Sequence, residues 1–470
     1  MLFPLTFIAA GSLLFGLLWF YPRWYLGALF AVAPLGGIWV QSGWMMDLFK
    51  IGLIISPLLL LQKRGRLGRI ARPIVGLLLW AALLLGWQLA THKTQDAGTM
   101  GHIDFVNRMI VANGMFFLRV LLVVIIGVVI RTPEELQGLL KALVWSVFLS
   151  SLYAIGQELA FVAAAPLSGI NTIGLQNPTW AFPTVQIGDM TLLRVNAFCT
   201  EPKDFALFLV PCIALLWSSK RGGGPICFRS SKIYWLHLGT MTIAGALTFS
   251  SSLYLMAPLL VATFVLLQPN RNLVRAAWQA AATAALVLFL GLVPYAASFL
   301  TNAWNARTTE RFSEAIDVLQ VSRERPALEF AQSEFPRPLL GYAVGAQAFY
   351  LPAWMPAEYR QSIFDANASA GVDSFWFALF LDLGIPGVVL FCWACMLALR
   401  TPRNGSASNT WPYRAALTGT LIMSIPLPGD LRSGLVWLML GVCWRYRELS
   451  RTCLPCKSLN RLRRLSARVA

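Results

Sequence analysis

The stretch RVNAFCTEPKDFALFL, residues 194–209, sets charged side chains directly before an apolar run. Arg194 carries a planar guanidinium that stays charged and can bind two oxygens of a phosphate. Glu201 follows seven residues later, and Pro202 suits the first turn of a helix. Glu201 therefore has two possible roles, as an acid favoured by the helix dipole or as a carboxylate for acid–base chemistry.

A second stretch, ASAGVDSFWFALFLDLGIPGVVLF, covers residues 368–391. Asp373 stands at the start of an apolar run, and Asp382 lies nine residues deeper in it. An acid at that depth of a membrane helix is costly and indicates a function by default. The alternative is that Asp382 is hydrogen-bonded at a helix kink just before the turn-forming residues 384–387.

Two further stretches carry small and polar residues. LTFSSSLYLMAPLL contains three serines, with Ser251 at their centre, between two apolar runs. Their hydroxyls either cap the following helix or bind a sugar or phosphate. RPLLGYAVGAQAFY, residues 337–350, contains Gly341 and Gly345, which permit a tight turn or a close backbone approach. Its backbone amides are candidates for cradling an anion.

The elements that position these stretches are predicted to be membrane helices. Hydrophobic residues make up 57 % of the 470 residues and charged residues 13 %. Apolar runs of about 17–25 residues recur along the chain, and a helix of that length spans a bilayer core. The alternating pattern of a transmembrane β-barrel is absent. The sequence therefore predicts an all-α polytopic membrane protein with about 12–14 transmembrane helices.

The hydropathy pattern divides the chain into five parts. The long segment before residue 372 contains WNARTTERFSEAIDVLQVSRERPALEFAQ, which predicts an amphipathic helix lying over the membrane mouth. The predicted parts are 1–163, amino-terminal transmembrane helices; 164–295, transmembrane helices preceded by the Arg194 and Glu201 segment; 296–371, a large outer loop; 372–446, carboxyl-terminal transmembrane helices; and 447–470, a basic tail.

The net charge of +17 is concentrated in short loops and in the carboxyl-terminal tail. This distribution is typical of the positive-inside rule and not of nucleic-acid binding, so no nucleic-acid partner is expected. The tail is also suited to contact anionic membrane lipids. The rule predicts that the basic loops 62–73, 219–233, 269–276 and 399–414 are cytoplasmic, and that the longer loops 91–108, 164–202 and 296–371 lie outside.

Cysteine and carboxylate usage gives no sign of a metal site. The eight cysteines form no disulfide framework, and Cys453 and Cys456 supply only two ligands of the four that structural zinc takes. The sequence shows no cluster of carboxylates that requires a divalent ion. Neither a metal nor a cofactor is expected.

Taken in order, these stretches resemble the motifs of the O-antigen ligase/polymerase superfamily, the Wzy-type family of bacterial surface polysaccharides. RVNAFCTEPKDFALFL resembles the family's R-x-x-G-x-F-x-x-P-N/D-x-x-A segment through Arg194, Phe198, Pro202 and Ala206. TFSSSLY resembles its T-x-S-R turn, although the arginine is missing. ERFSEAIDVL and PLLGYAVGAQAF resemble the two ends of its outer loop, and VDSFWFALFLDLGIPG resembles its H-N/S-x-Y/F-L…E-x-G-x-x-G segment. The resemblance covers residues 190–398.

The resemblance implies a GT-C-like fold with a large helical periplasmic loop, in the bacterial inner membrane, with the active site facing the periplasm. The family joins glycans carried on undecaprenyl pyrophosphate, so the implied activity is a metal-independent glycosyl transfer that polymerises oligosaccharide repeat units. Membrane lipids and a polysaccharide chain-length regulator are further expected partners. The implied site residues are Arg194, Arg311 and Arg307 for pyrophosphate, Asp373 and then Glu201 for catalysis, and Ser251, Tyr342 and Asp382 for substrate.

Two alternatives remain open at this point. One is an O-antigen ligase or oligosaccharyltransferase, which moves a lipid-linked glycan to another acceptor. Asp373 stands where the family has the histidine that is thought to activate the ligase acceptor, so a polymerase-like relative fits better. The other alternative is a transporter or flippase. The chain shows no internal repeat, and its outer charges crowd one face, which weighs against that class.

Overall fold

The structure is a computed structural model in which helices dominate. The amino-terminal helices are α1 (Leu2–Phe20), α2 (Pro22–Val32), α3 (Leu48–Ile55), α4 (Leu58–Gln62), α5 (Ala71–Thr91), α6 (Phe105–Val129) and α7 (Pro133–Val162). A hairpin follows, β1 (Thr184–Ile187) and β2 (Met190–Leu193). The remaining helices are α8 (Pro202–Gly222), α9 (Ser231–Leu247), α10 (Ser251–Leu266), α11 (Glu324–Ser333), α12 (Gln347–Tyr350), α13 (Phe375–Leu399), α14 (Ala407–Met423) and α15 (Gly434–Thr452).

The structure describes residues 2–35, 48–62, 71–91, 105–163, 184–187, 190–199, 201–222, 225–226, 228, 230–266, 324–354, 372, 374–400, 407–426 and 434–452. The last residues of the predicted part 164–295, from residue 267 onward, lie outside these ranges, as does the first two-thirds of the predicted amphipathic helix, 304–323. Of that helix the structure describes the carboxyl-terminal part, as α11.

The predicted membrane architecture is confirmed in its coarse form. Within the described ranges, five helices are long and apolar enough to cross a membrane: Arg72–Thr91, Phe105–Val129, Pro133–Val162, Pro202–Ser219 and Phe375–Leu399. On α5, Leu79, Leu83 and Trp87 are exposed, while Ile74 and Ala81 are buried. Residues spaced by four share one face of a helix, so α5 turns an apolar face away from the bundle, as expected for contact with lipid.

The helix ends form two groups, of which the first is called the arginine end. There, Arg23 pairs with Glu135 at 2.8 Å. Arg445 donates to the carbonyl of Ile130 at 2.6 Å, and Arg447 donates to a carbonyl near the end of α13. The arginine end therefore gathers the starts of α2 and α7 with the carboxyl ends of α6, α13 and α15.

The opposite end is called the hairpin end, because β1 and β2 lie there. The carboxyl end of α7 reaches it, since a short turn joins α6 to α7 at the arginine end. The amide of Val195, between the hairpin and α8, donates to the carbonyl of Leu247 at 3.1 Å. The hairpin end therefore also holds the end of α9 and the starts of α8, α10 and α13.

A short hairpin adds two strands to the predicted all-α architecture. Its strands are antiparallel, with Thr184 opposite Leu193 and Ile187 opposite Met190. Val185 packs against Phe249, in the turn between α9 and α10. The sequence TVQIGDMTLL has β-branched residues on both sides of a Gly-Asp pair, a pattern typical of a short hairpin. Strands as short as these fall below the length that hydropathy resolves.

Helix α13 is kinked at Gly384, whose φ is 64° and ψ is −168°. Pro386 has no N–H, so the carbonyl of Asp382 lacks its usual donor four residues on. The amide of Ala343 supplies that hydrogen bond, at 2.8 Å. The amide of Tyr342 donates to the carbonyl of Leu381 in the same way, at 2.9 Å. Two carbonyls at the kink are thus satisfied by the segment 341–344.

The segment and the kink of α13 each contact one more membrane helix. Asn113 of α6 donates through Nδ2 to the carbonyl of Val344 at 2.8 Å. Trp80 of α5 donates through Nε1 to the carbonyl of Leu383, at 2.7 Å. Asn113 and Leu383 both lie eight residues inside their helices, about 12 Å along the axis at 1.5 Å per residue. Non-helical backbone is tolerated at that depth where protein surrounds it and pairs its polar groups.

Glycine is required where this segment meets the kink. Gly341 has φ 93°, and a Cβ there would lie 2.6 Å from the backbone nitrogen of Gly384. A Cβ on Gly384 would overlap the backbone of Leu340. The predicted close backbone approach at Gly341 is confirmed. The predicted anion cradle is not available at Tyr342 and Ala343, because their amides donate to α13.

We expect Gly384→Ala to lower the free energy of unfolding by about 3 kcal/mol, because the substitution combines an unfavourable φ with backbone overlap. Gly86→Ala is the matched control, since no atom lies within 4 Å of the added Cβ and alanine favours the helix. Thermal unfolding of the purified protein in detergent, followed by tryptophan fluorescence, measures both. Equal midpoints for the two variants would contradict the tight contact.

Candidate functional site

Polar side chains near the end of α7 hold the backbone of the segment 193–197. The amide of Leu193 donates to Oε2 of Glu158 at 3.0 Å. The amide of Ala197 donates to Oε1 of Gln157, also at 3.0 Å. Adjacent residues of one helix thus fix the two ends of the segment that contains Arg194.

The turn after Arg194 is closed by its own side chains. Nδ2 of Asn196 donates to the carbonyl of Cys199 at 3.0 Å, and Nε2 of Gln157 donates to Oδ1 of Asn196 at 3.3 Å. Ala197 has φ 50°, in the left-handed region that a tight turn needs. The Cys199 thiol contacts the carbonyl of Pro34 at 3.3 Å. The turn is therefore anchored to α7 and to the end of α2.

Arg194 is half-buried in this frame, and its Nε is buried. The Phe198 ring, four residues on, stacks on Tyr153 with centroids 4.3 Å apart and planes 11° apart. A guanidinium remains charged in such a place, and partial burial weakens the screening of its field by water and salt. Arg194 is therefore suited to attract a phosphate or pyrophosphate at the hairpin end.

Glu201 directly precedes α8, and its carbonyl accepts from the amide of Phe205 at 3.3 Å. Its carboxylate pairs with Lys203 at 3.0 Å, and both side chains are about one-third exposed. The backbone of Glu201 thus begins the helix, which agrees with the first of its two possible roles, an acid favoured by the helix dipole. The carboxylate faces solvent in a surface pair, so its catalytic role stays a prediction.

Asp382 is 3 % exposed and lies at the kink of α13. Its Oδ1 accepts from Nε2 of Gln347 at 2.9 Å, and Oε1 of Gln347 accepts from the amide of Val372 at 3.2 Å. This geometry agrees with the hydrogen-bonded kink. It also links Asp382 to the residue that precedes Asp373, so Asp382 helps to position the chain where it enters α13.

Tyr342 is 2 % exposed and packs into an aromatic cluster. Its ring centroid lies 5.0 Å from that of Phe330 and 5.1 Å from that of Tyr350. The Arg337 guanidinium lies 5.0 Å from the Tyr342 centroid, a cation–π contact. Trp354 extends the cluster and is 38 % exposed. A sugar ring would therefore meet Trp354 in this conformation, whereas Tyr342 would have to be uncovered first.

The remaining predicted site residues are described only in part. Ser251 is the first residue of α10, and its side chain is outside the described residues. The neighbouring Ser250 is buried, and its carbonyl accepts from the amide of Tyr254 at 3.1 Å, so the serines begin a helix. Asp373, Arg307 and Arg311 lie outside the described residues.

Sequence reasoning missed Gln157 and Glu158, which hold the Arg194 segment. The signal was present, because the pair interrupts the apolar run LYAIGQELAFV near the end of a predicted span. Polar side chains inside a membrane helix indicate a specific partner. Glu158 is buried, and its Oε2 is used by Leu193. Sequence reasoning also missed Gln347, a polar residue within a glycine-rich stretch.

No family model matches the chain, and a search of curated proteins finds no match. The family resemblance therefore depends on the motifs of the sequence and on their order alone.

We expect Gln157→Ala to release the turn 194–199, because the amide of Ala197 and the side chain of Asn196 lose their partner. Burial and the nearby charge of Asp204 raise the pKa of the Cys199 thiol well above its usual range, so the intact turn resists alkylation. A lost buried hydrogen bond costs about 1–3 kcal/mol. Labelling of Cys199 by a maleimide should accelerate about tenfold, the factor that corresponds to 1.4 kcal/mol.

Peptide mass spectrometry measures the labelling of Cys199 separately from the other cysteines. Leu159→Ala is the matched control, since Leu159 neighbours the same pair but is exposed. An unchanged rate in Gln157→Ala, or equal acceleration in both variants, would show that Gln157 does not hold the turn.

Proposed function

We propose that the protein is a membrane glycosyltransferase of the polysaccharide polymerase type. It joins oligosaccharide repeat units carried on undecaprenyl pyrophosphate at the periplasmic face of the bacterial inner membrane. The observation that carries this proposal is that the described motif stretches pair with one another in the fold. The Arg194 segment bonds to the end of α9, beside the serine turn, and the segment 341–344 bonds to α13 next to Asp382.

The orientation in the membrane is part of the proposal. Arg23, Arg445 and Arg447 lie at the arginine end, and the basic loops 219–233 and 399–414 connect helices at that end. Cytoplasmic loops carry the excess of Lys and Arg. This supports a cytoplasmic arginine end and a periplasmic hairpin end, where a lipid-linked glycan would be used.

The reaction is a substitution at the anomeric carbon of the donor sugar. An acceptor hydroxyl forms the new C–O bond, the bond to pyrophosphate breaks, and the electron pair leaves with the lipid pyrophosphate. Arg194 would stabilise the charge that develops on the leaving group, because a fixed cation does so without a proton transfer. Arg311 and Arg307 would add donors from the outer loop, and Trp354 would contact a sugar.

The proton of the acceptor hydroxyl needs a base within hydrogen-bonding reach. Asp373 is the first choice because it stands where the resembled family has its histidine. It directly precedes Ser374, which caps α13 by accepting from the amide of Phe377. Asp373 would therefore stand at the entrance of α13, on the end where Arg194 lies. Glu201 is the second choice, at the entrance of α8.

We expect Arg194→Ala to lower polymer formation at least about 100-fold, the scale of losing one charge-stabilising donor. Purified protein in detergent is mixed with an undecaprenyl-pyrophosphate-linked repeat unit, and the products are separated on a gel as a ladder. Arg72→Ala is the matched control, because Arg72 is exposed at the start of α5. It should retain the ladder of the unchanged chain.

Other outcomes of this assay decide between the function classes. Transfer only after addition of lipid A core or an acceptor protein would replace the polymerase proposal by ligase or oligosaccharyltransferase activity. Movement of the lipid-linked unit across vesicles, with no new bond, would indicate a flippase. A full ladder from Arg194→Ala would remove Arg194 from the site.

We expect Asp373→Asn to lower the turnover more than Glu201→Gln, because the Glu201 carboxylate is already paired with Lys203. A lost general base costs about 100-fold or more. Initial rates from the same assay, normalised to the protein recovered from membranes, make the comparison. A larger loss in Glu201→Gln would assign the base to Glu201.

A further inference from the structure

A cavity of about 230 Å³ opens at the arginine end, far from the Arg194 segment. It lies between the turn that joins α1 to α2 and the turn that joins α6 to α7. Tyr21, Arg23 and Trp24 line one side, and Val129 and Arg131 line the other. At about 30 Å³ per water molecule, this volume exceeds what a phosphate group needs and leaves room for a small polar substituent.

The charges around the cavity are predominantly positive. Oε1 of Glu135 pairs with Arg23 at 2.8 Å, and its Oε2 accepts from the backbone amide of Arg131 at 2.7 Å. The Glu135 carboxylate is thus fully used in fixing the two turns. The Arg131 side chain is exposed, and among the described residues its guanidinium has no partner. The cavity therefore has two arginine side chains beside one carboxylate, which gives an excess of positive charge.

An apolar surface leads to the same place. Leu13, Phe15 and Trp19 of α1 are exposed, and the Phe15 and Trp19 rings stack with centroids 6.5 Å apart. Phe20 and Trp24 are each 73 % exposed. Exposed aromatic rings at a helix end beside arginines are typical of the boundary between the hydrocarbon core and the headgroups. Acyl chains on α1 would therefore bring a headgroup to the cavity.

We propose that this cavity binds the phosphodiester headgroup of an anionic phospholipid. Arg23 and Arg131 contact the phosphate, and the acyl chains lie along the exposed face of α1. Basic pockets between membrane helices recognise anionic headgroups in this way. The lipid would join the α1–α2 turn to the α6–α7 turn, and the inference holds whether or not the chain transfers sugars.

The test is native mass spectrometry of the full chain in detergent, titrated with phosphatidylglycerol and, separately, with phosphatidylcholine. The expected result is preferential binding of one phosphatidylglycerol. Arg131→Gln should raise its dissociation constant about fivefold, the factor for one basic residue near an anionic surface. Arg131→Lys keeps the charge and should stay within about twofold. The side chain is exposed, and its backbone bond to Glu135 survives either substitution.

Arg400→Gln is the matched control, since Arg400 is exposed at the same end and does not line the cavity. Equal weakening by Arg400→Gln would mean that a diffuse surface charge binds the lipid. Unchanged binding in Arg131→Gln, or equal affinity for both lipids, would overturn the site. Inorganic phosphate and glycerol phosphate are added as competitors. Displacement of the lipid by millimolar amounts of either would show a site for free anions and reject the lipid.

Discussion

The structure depends on the rule that backbone polar groups removed from water need a partner. At the kink, Pro386 removes the helical donor of the Asp382 carbonyl, and three consecutive carbonyls of α13, at residues 381–383, accept from outside the helix. The segment 341–344 supplies two amides, and an indole N–H of α5 supplies the third donor. A stretch outside the regular helices thus becomes an internal part of the bundle. Glycine is needed there because hydrogen bonds between two backbones bring them too close for a Cβ.

The same rule shapes the candidate site around Arg194. Gln157 and Glu158 lie within an apolar helix and are stabilised there because they accept from the amides of a segment that has no helix of its own. Each hydrogen bond satisfies a backbone amide of the segment and a polar side chain of the helix at the same time. The result is a half-buried cation on a fixed backbone, an arrangement that lets charge act without first reorganising its surroundings.

Hydropathy was enough to predict the membrane class, because long apolar runs are a local property of the sequence. The kink before residues 384–387 was one of two alternatives that the glycines and the proline suggested for Asp382, and the hydrogen bonds of Asp382 agree with it. The hairpin and the roles of Gln157 and Gln347 were not predicted. A hairpin of two four-residue strands is lost in windows that average over a span, and the partner of a buried amide lies 35 to 40 residues away. A contact between residues so far apart in the chain cannot be read from the sequence around either of them.

The kink has a consequence for the order in which the chain can enter a membrane. Residues 337–350 and helices α5 and α6 are all synthesised before α13. When α13 is synthesised, the residues that donate to its carbonyls at 381–383 are therefore already part of the chain. Each unsatisfied carbonyl would cost several kcal/mol in hydrocarbon. The kinked helix therefore follows, in the chain, each element that donates to its carbonyls at residues 381–383.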